Sequence, residues 1–105
     1  MVRVYISGKI RGTDDYLERF ANAEIRLKAS GLDAINPTKL SAAFPTLSDE
    51  EYIKVDLALL ETCTMVYALR GWETSAGARM EIQRAKEAGI AVFYEDGIRA
   101  LCKEE

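Results

Sequence analysis

The sequence predicts an α/β domain of three layers, in which a doubly wound parallel sheet of four to five strands lies between helices. Three observations predict it. Short β-branched and aromatic runs, such as Val2-Arg3-Val4-Tyr5-Ile6-Ser7 and Ile90-Ala91-Val92-Phe93-Tyr94, alternate with longer stretches of helical spacing. The runs are mostly apolar, as strands covered on both faces by helices must be. Glycine or proline stands at most of the boundaries, at Gly8, Gly31, Pro37 and Gly89. Such alternation is typical of flavodoxin-like and Rossmann-like sheets.

Taken in order, Val2 to Ser7 is the first strand and ends at Gly8. Thr13 is positioned to cap a helix with Asp14 and Asp15 in its first turn, where the helix dipole favours negative charge. Leu17, Phe20, Ala21, Ile25 and Lys28 keep helical spacing along it, and Gly31 supplies its stop. Leu32 to Ile35 is a second strand, ended by Asn36-Pro37, and a loop containing Pro37 and Pro45 follows. Ser48 with Glu51 three residues on forms a capping box for a helix running to about Thr62. Thr64 to Leu69 is a third strand, Arg70 to Ser75 a loop, and Ala76 to Ala88 a helix stopped by Gly89. Ile90 to Tyr94 is the fourth strand, and Gly97 to Lys103 a short terminal helix.

With 105 residues the chain suffices for one domain with one core, spanning 1–105. A net charge of −3 without a Lys/Arg cluster argues against a polynucleotide partner, though a small anion needs only a local positive site. The first apolar run is too short for a signal peptide, and no segment is long enough to span a bilayer. Cys63 and Cys102 fit reduced thiols in a cytoplasmic protein better than a disulfide framework. The chain has no histidine, which removes Ser-His and Cys-His nucleophiles and His-ligated zinc, and two distant cysteines make no thiolate site. No metal and no cofactor is expected. Chemistry must run on carboxylates, hydroxyls, lysines or backbone dipoles.

Open parallel sheets bind ligands beyond the carboxyl ends of their strands. The segments leaving those ends are Ser7-Gly8-Lys9-Ile10-Arg11-Gly12, Asn36-Pro37, and Arg70-Gly71-Trp72-Glu73-Thr74-Ser75. Two of them combine glycine, hydroxyl and cationic groups suited to a polar or anionic ligand. Trp72 is either a surface anchor or a lid stacking on a base. Two carboxylates are misplaced on otherwise apolar helix stripes. Glu81 lies between Ala78 and Ala85, and Asp56 between Ile53 and Leu60. An acid on a buried face costs several kcal/mol unless hydrogen-bonded, paired or held neutral, so two such acids near a polar rim point to function. Gly8-Lys9 lacks the remaining residues of a P-loop, Gly8 to Gly12 lacks dinucleotide-fingerprint spacing, and Leu69-Arg70-Gly71 offers no phosphoacceptor aspartate.

The motifs Tyr5-Ile6-Ser7-Gly8-Lys9-Ile10-Arg11-Gly12, Asn36-Pro37, Asp56-Leu57 with Cys63-Thr64-Met65-Val66, and Gly71-Trp72…Ser75-Ala76-Gly77-Ala78…Glu81…Ala85 keep order and spacing over nearly the whole chain. Together they resemble the nucleoside 2-deoxyribosyltransferase superfamily, in particular its small bacterial and phage branch, and next the 2′-deoxynucleoside 5′-phosphate N-hydrolases. The resemblance implies that Glu81 is a nucleophile attacking the anomeric carbon, supported by Tyr5, with Asp56 near the base or sugar for protonation or binding. It implies substrate contacts from Ser7, Gly8, Ile10, Arg11, Gly12, Asn36, Gly71, Trp72, Ser75 and Gly77. Ser75 stands six residues before Glu81, where the hydrolases carry a phosphate-holding serine and the transferases an aspartate. With Arg11 and the Ser7-Gly8 turn close by, the resemblance implies cleavage of an N-glycosidic bond, by hydrolysis or base transfer on a (deoxy)nucleoside or nucleoside 5′-monophosphate, and leans towards the monophosphate and hydrolysis. The hydrolases' further serine after the fourth strand and the transferases' C-terminal asparagine and carboxylate have no counterpart in Tyr94-Glu95-Asp96-Gly97 or in Arg99 to Glu105. A binding or sensing module that kept the pocket without the reaction is the alternative. The family and the open sheet edges imply a homodimer or larger homo-oligomer.

Overall fold

The computed structural model describes residues 1–97, so the expected terminal helix from Gly97 to Lys103 lies, beyond its first residue, outside the described residues. The strands are β1 (Arg3–Ser7), β2 (Asp33–Ile35), β3 (Met65–Ala68) and β4 (Ala91–Tyr94), and the helices are α1 (Tyr16–Ala29), α2 (Thr38–Ala43), α3 (Asp49–Glu61) and α4 (Ala76–Glu87). The four strands pair in parallel in the order β2-β1-β3-β4. The chain therefore moves from β1 outward to β2, returns across β1, and continues through β3 to β4. The strand order reverses between β1 and β3, and a crevice opens beyond their carboxyl ends at such a point.

Alternation along the strands sorts the core into two layers. Tyr5 and Val66 project to one face and pack with Leu60 and Cys63 at the end of α3 and with Ala85 of α4. Ile6 projects to the other face and packs with Phe20 and Ala23 of α1, Ala34 and Leu69. Burying β-branched and aromatic side chains on both faces supplies the main driving force, at about 25 cal/mol per Å² of apolar surface removed from water. At the β4 edge, Ala91 and Phe93 share the α1 side of the sheet and stay exposed, because α1 covers β1 and β2 rather than β4.

The capping box before α3 forms as its sequence predicts: Glu51 N donates to Ser48 Oγ at 3.1 Å, and Ser48 N donates to Glu51 Oε1 at 2.8 Å. Three local expectations need correction. α1 begins at Tyr16 and not after Thr13, whose Oγ1 donates to the Ile10 carbonyl at 3.2 Å within the preceding turn. The inward face of α1 carries Tyr16, Phe20, Ala23, Glu24 and Leu27, whereas Leu17, Ala21 and Ile25 face solvent. A four-residue spacing had two possible faces, and the aromatic pair Tyr16 and Phe20 takes the sheet. The segment after Asn36-Pro37 folds as α2 instead of a loop. Asn36 Oδ1 accepts from Thr38 N at 3.0 Å and from Thr38 Oγ1 at 2.6 Å, and Pro37 at φ −68° is pre-set for a helical start.

Candidate active site

A cavity of about 600 Å³ opens at the crevice, lined by residues of the β1–α1 loop, α2, α3 and the start of α4. Its wall of small groups comes from the loop after β1. Gly8 is buried there, and a Cβ on it would meet Leu69 Cβ and Cδ1 at 3.0 Å, so any larger residue would crowd Leu69. Ser75 starts α4, where its Oγ accepts from Ala78 N at 3.2 Å, and Ala76 and Gly77 of the first turn face the same space.

Glu81 lies on the inward stripe of α4 between buried Ala78 and Ala85, and it is among the residues that line the cavity. Tyr5 Oη donates to Glu81 Oε2 at 2.6 Å and Ser7 Oγ donates to Glu81 Oε1 at 2.7 Å. Both donors project from β1 and are fully buried, two residues apart and therefore on the same face of the strand. Each carboxylate oxygen thus has its own hydroxyl, which fixes the plane of the group. Burial pushes Glu81 up to about 7, opposed by the two hydroxyl donors and reinforced by the neighbouring charge of Asp56. Burial, and then the charges of Glu81 and Asp56, push the Tyr5 phenol well above its ordinary value, so it remains a donor.

Asp56 reaches the same cavity from α3. Burial pushes its carboxyl up to about 6, and its Oδ1 has no hydrogen-bond partner among the described residues. A buried oxygen without a donor is costly and suits a protonated carboxyl or one awaiting a ligand's hydrogen bond. The apolar part of the lining includes Ile53, Leu57 and Met80, with Tyr52 beside them. These α3 side chains have the spacing of core residues, yet only Leu60 of this helix is fully enclosed, because the first half of α3 faces the cavity instead of the sheet.

Of the residues singled out in the sequence, Gly8, Ile10, Arg11, Asp56, Ser75, Gly77 and Glu81 line the cavity. Tyr5 and Ser7 sit directly beneath it, behind Glu81. Gly12, Asn36, Gly71 and Trp72 are not among its lining residues. Asn36 is occupied internally: besides holding Thr38, its Nδ2 donates to Glu24 Oε1 at 3.1 Å. Gly71, with φ +92°, precedes a short 3-10 turn at Trp72–Thr74, and the Trp72 ring packs against Tyr94 with centroids 5.5 Å apart. Lys9, Ser41 and Asp49 also line the cavity and were not singled out. Asp49 had a signal, since it follows the Ser48 cap at the ligand end of α3. Ser41 had none, because α2 was not predicted.

Architecture and site together define an α/β chain with a carboxylate-lined cavity at the switch point of a parallel sheet. Residues 2–94 match the family described as Domain of unknown function (DUF4406), and the chain belongs to that family. No curated protein matches it. Among solved structures it is similar to a 2-deoxyribosyltransferase from Bacillus psychrosaccharolyticus, with TM-score 0.71 and 17% identity over 89% of this chain and 71% of that one. It is also similar to the Clostridium botulinum CMP N-glycosidase, with TM-score 0.64 and 22% identity over 88% of this chain and 66% of that one. A third likeness is to a 2-deoxyribosyltransferase from Leishmania mexicana, with TM-score 0.70 and 16% identity over 90% of this chain and 63% of that one. The chain thus has the 2-deoxyribosyltransferase fold, and it spans between 63% and 71% of the lengths of these three neighbours. Among the described residues, no helix is long and apolar enough to cross a membrane.

Proposed function

We propose that the protein cleaves the N-glycosidic bond of a nucleoside, deoxynucleoside or nucleoside 5′-monophosphate, by hydrolysis or base transfer, with Glu81 as nucleophile. One observation carries this reading: a cavity-facing glutamate whose two oxygens are each held by a buried hydroxyl, across from a second raised carboxyl. The fold shared with 2-deoxyribosyltransferases and a CMP N-glycosidase supports it.

The two acids carry between them one proton at the pH where the site works. Glu81 is lifted the further, but both its oxygens are occupied by donors, whereas Oδ1 of Asp56 has none. The shared proton therefore rests on Asp56. A Glu81 oxygen attacks the anomeric carbon, the bond to the base breaks, and its electron pair leaves on the base nitrogen, which takes the proton from Asp56. The resulting glycosyl ester of Glu81 is opened by water, which Asp56, now a carboxylate, deprotonates, or by the nitrogen of a second base. Tyr5 and Ser7 aim the nucleophile and stabilise it as the leaving carboxylate of the second step. In this reading Ser75, at the start of α4, and Arg11 hold the 5′-phosphate, which is supported by both residues lining the cavity. The protein acts as a homodimer or larger assembly in this reading.

The test is release of free base from a panel of nucleosides and their 5′-monophosphates, with Glu81→Ala as control. The reading expects release that the substitution abolishes. Equal release by both proteins sinks it, and saturable binding without release, unaffected by Glu81→Gln, supports a binding module instead.

A further inference from the structure

Arg11 and Asp49 reach the cavity from two different walls. Arg11 belongs to the loop after β1, and Asp49 opens α3 one residue after its Ser48 cap. Their side chains form an ion pair, and both line the cavity. The pair is not sealed: the side chains are 81% and 71% exposed, so a ligand entering from solvent meets both. Arg11 is one of two cations on the lining, the other being Lys9, against the three acids Asp49, Asp56 and Glu81. Lys9 makes no ion pair among the described residues. With Arg11 taken by Asp49, the wall presents one uncommitted cation facing the two carboxyls of the reaction centre.

We infer that Asp49 is a specificity-determining residue, which sets the preference between neutral and phosphate-bearing ligands by holding Arg11. This rests on the nucleoside or nucleotide reading of the cavity. A guanidinium binds carboxylate and phosphate oxygens with the same forked geometry, so a ligand's phosphate and Asp49 compete for the same donors. An exposed ion pair is weak, which makes it displaceable rather than permanent. Asp49 also adds a negative charge beside the space that the phosphate enters. A nucleoside meets neither cost. The residue thus narrows the advantage that Arg11 would otherwise give to a monophosphate, and the balance shifts with ionic strength.

The experiment compares Asp49→Asn, Arg11→Gln and the double variant, all in the Glu81→Gln background that prevents turnover. Calorimetry measures affinity for the four common deoxynucleosides and their 5′-monophosphates. The ratio of monophosphate to nucleoside affinity is expected to rise about threefold to tenfold on Asp49→Asn at low salt, and less at high salt. The same substitution made beside Arg11→Gln is expected to leave the ratio where Arg11→Gln alone puts it. A ratio that ignores Asp49→Asn overturns the inference, as does an equal rise with Arg11 absent. Failure of every ligand to bind every form removes the nucleotide reading itself, and this inference with it. That outcome is recognisable because it does not depend on residue 49.

Discussion

The phenolic oxygen of Tyr5 lies 2.6 Å from Oε2 of Glu81, joining the middle of β1 to the second turn of α4. The contact is short, partly buried and between groups 76 residues apart in sequence. It explains how an acid sits on an inward helix stripe without collapsing the core. Tyr5→Phe keeps the ring's packing and removes one donor from the carboxylate. Loss of a hydrogen bond to a charged group should lower unfolding free energy by about 1.5–3 kcal/mol in urea titrations. With that donor gone, Glu81 should ionise at higher pH, and the acid limb of the pH–rate profile should move upward with it. Base release should fall about tenfold to a hundredfold. A limb that stays in place would detach Tyr5 from the nucleophile.

The paired acids predict a narrow bell in the pH–rate profile. Asp56 is pushed up to about 6 and Glu81 to about 7. Well below this range both are protonated and no nucleophile exists; well above it both are ionised and no proton reaches the leaving base. The maximum should fall between the two values. Asp56→Asn should abolish the alkaline limb in whatever activity survives. A flat profile from pH 5 to 8 would contradict shared use of the pair.

Stability should carry an opposite signature from the same groups. Burial lifts Glu81 to about 7 from 4.5 and Asp56 to about 6 from 3.8, so the native pair keeps a proton that the same carboxyls have released in the unfolded chain. Its contribution is therefore favourable below that window and is lost as pH rises through it. Glu81→Gln should stabilise the protein relative to wild type by an amount that grows between about pH 4.5 and 7. Denaturant midpoints at several pH values measure this. A constant offset across the window would mean that Glu81 is not held against its burial.

Glu24 works the other way. Lys28 and Lys39 each donate to its Oε2 at 2.8 Å, Asn36 donates to Oε1, and these contacts pull it to about 2 from 4.5 despite its burial. Its stabilisation is present above the ordinary carboxylate range and is lost as pH falls towards 2. Glu24→Ala should cost about 1–3 kcal/mol, because Asn36 Nδ2 loses its acceptor at a buried position. Thermal melting at neutral pH should show this. A change within experimental error would mean that the cluster does not tie α1 to the Asn36-Pro37 turn.

The order of the four strands and of α1, α3 and α4 was legible because hydrophobic runs and punctuation marked them, as at Ser48 with Glu51 and at Gly89 after α4. That Glu81 and Asp56 stand out was also legible, since an acid on an apolar stripe breaks a pattern that is otherwise kept, whereas their meeting in one cavity depends on how α3 and α4 pack. What failed depended on tertiary choices. Thr13 has the chemistry of a cap, but the turn after β1 takes its hydroxyl. Asn36 has the look of a ligand-end residue, but Glu24 arrives from α1 and claims it. The Asn-Pro-Thr signal for α2 was present, yet a helix of six residues has too few turns to show a period. Trp72 could not be placed from sequence, because its partner Tyr94 comes from the neighbouring strand.

The central claim is that Glu81 forms a bond to the sugar. Peptide mass spectrometry of protein rapidly quenched during turnover tests it most directly. The account predicts a pentosyl or phosphopentosyl adduct on the peptide containing Glu81, absent in Glu81→Gln. Base release with no adduct, or with the adduct on another residue, would contradict it.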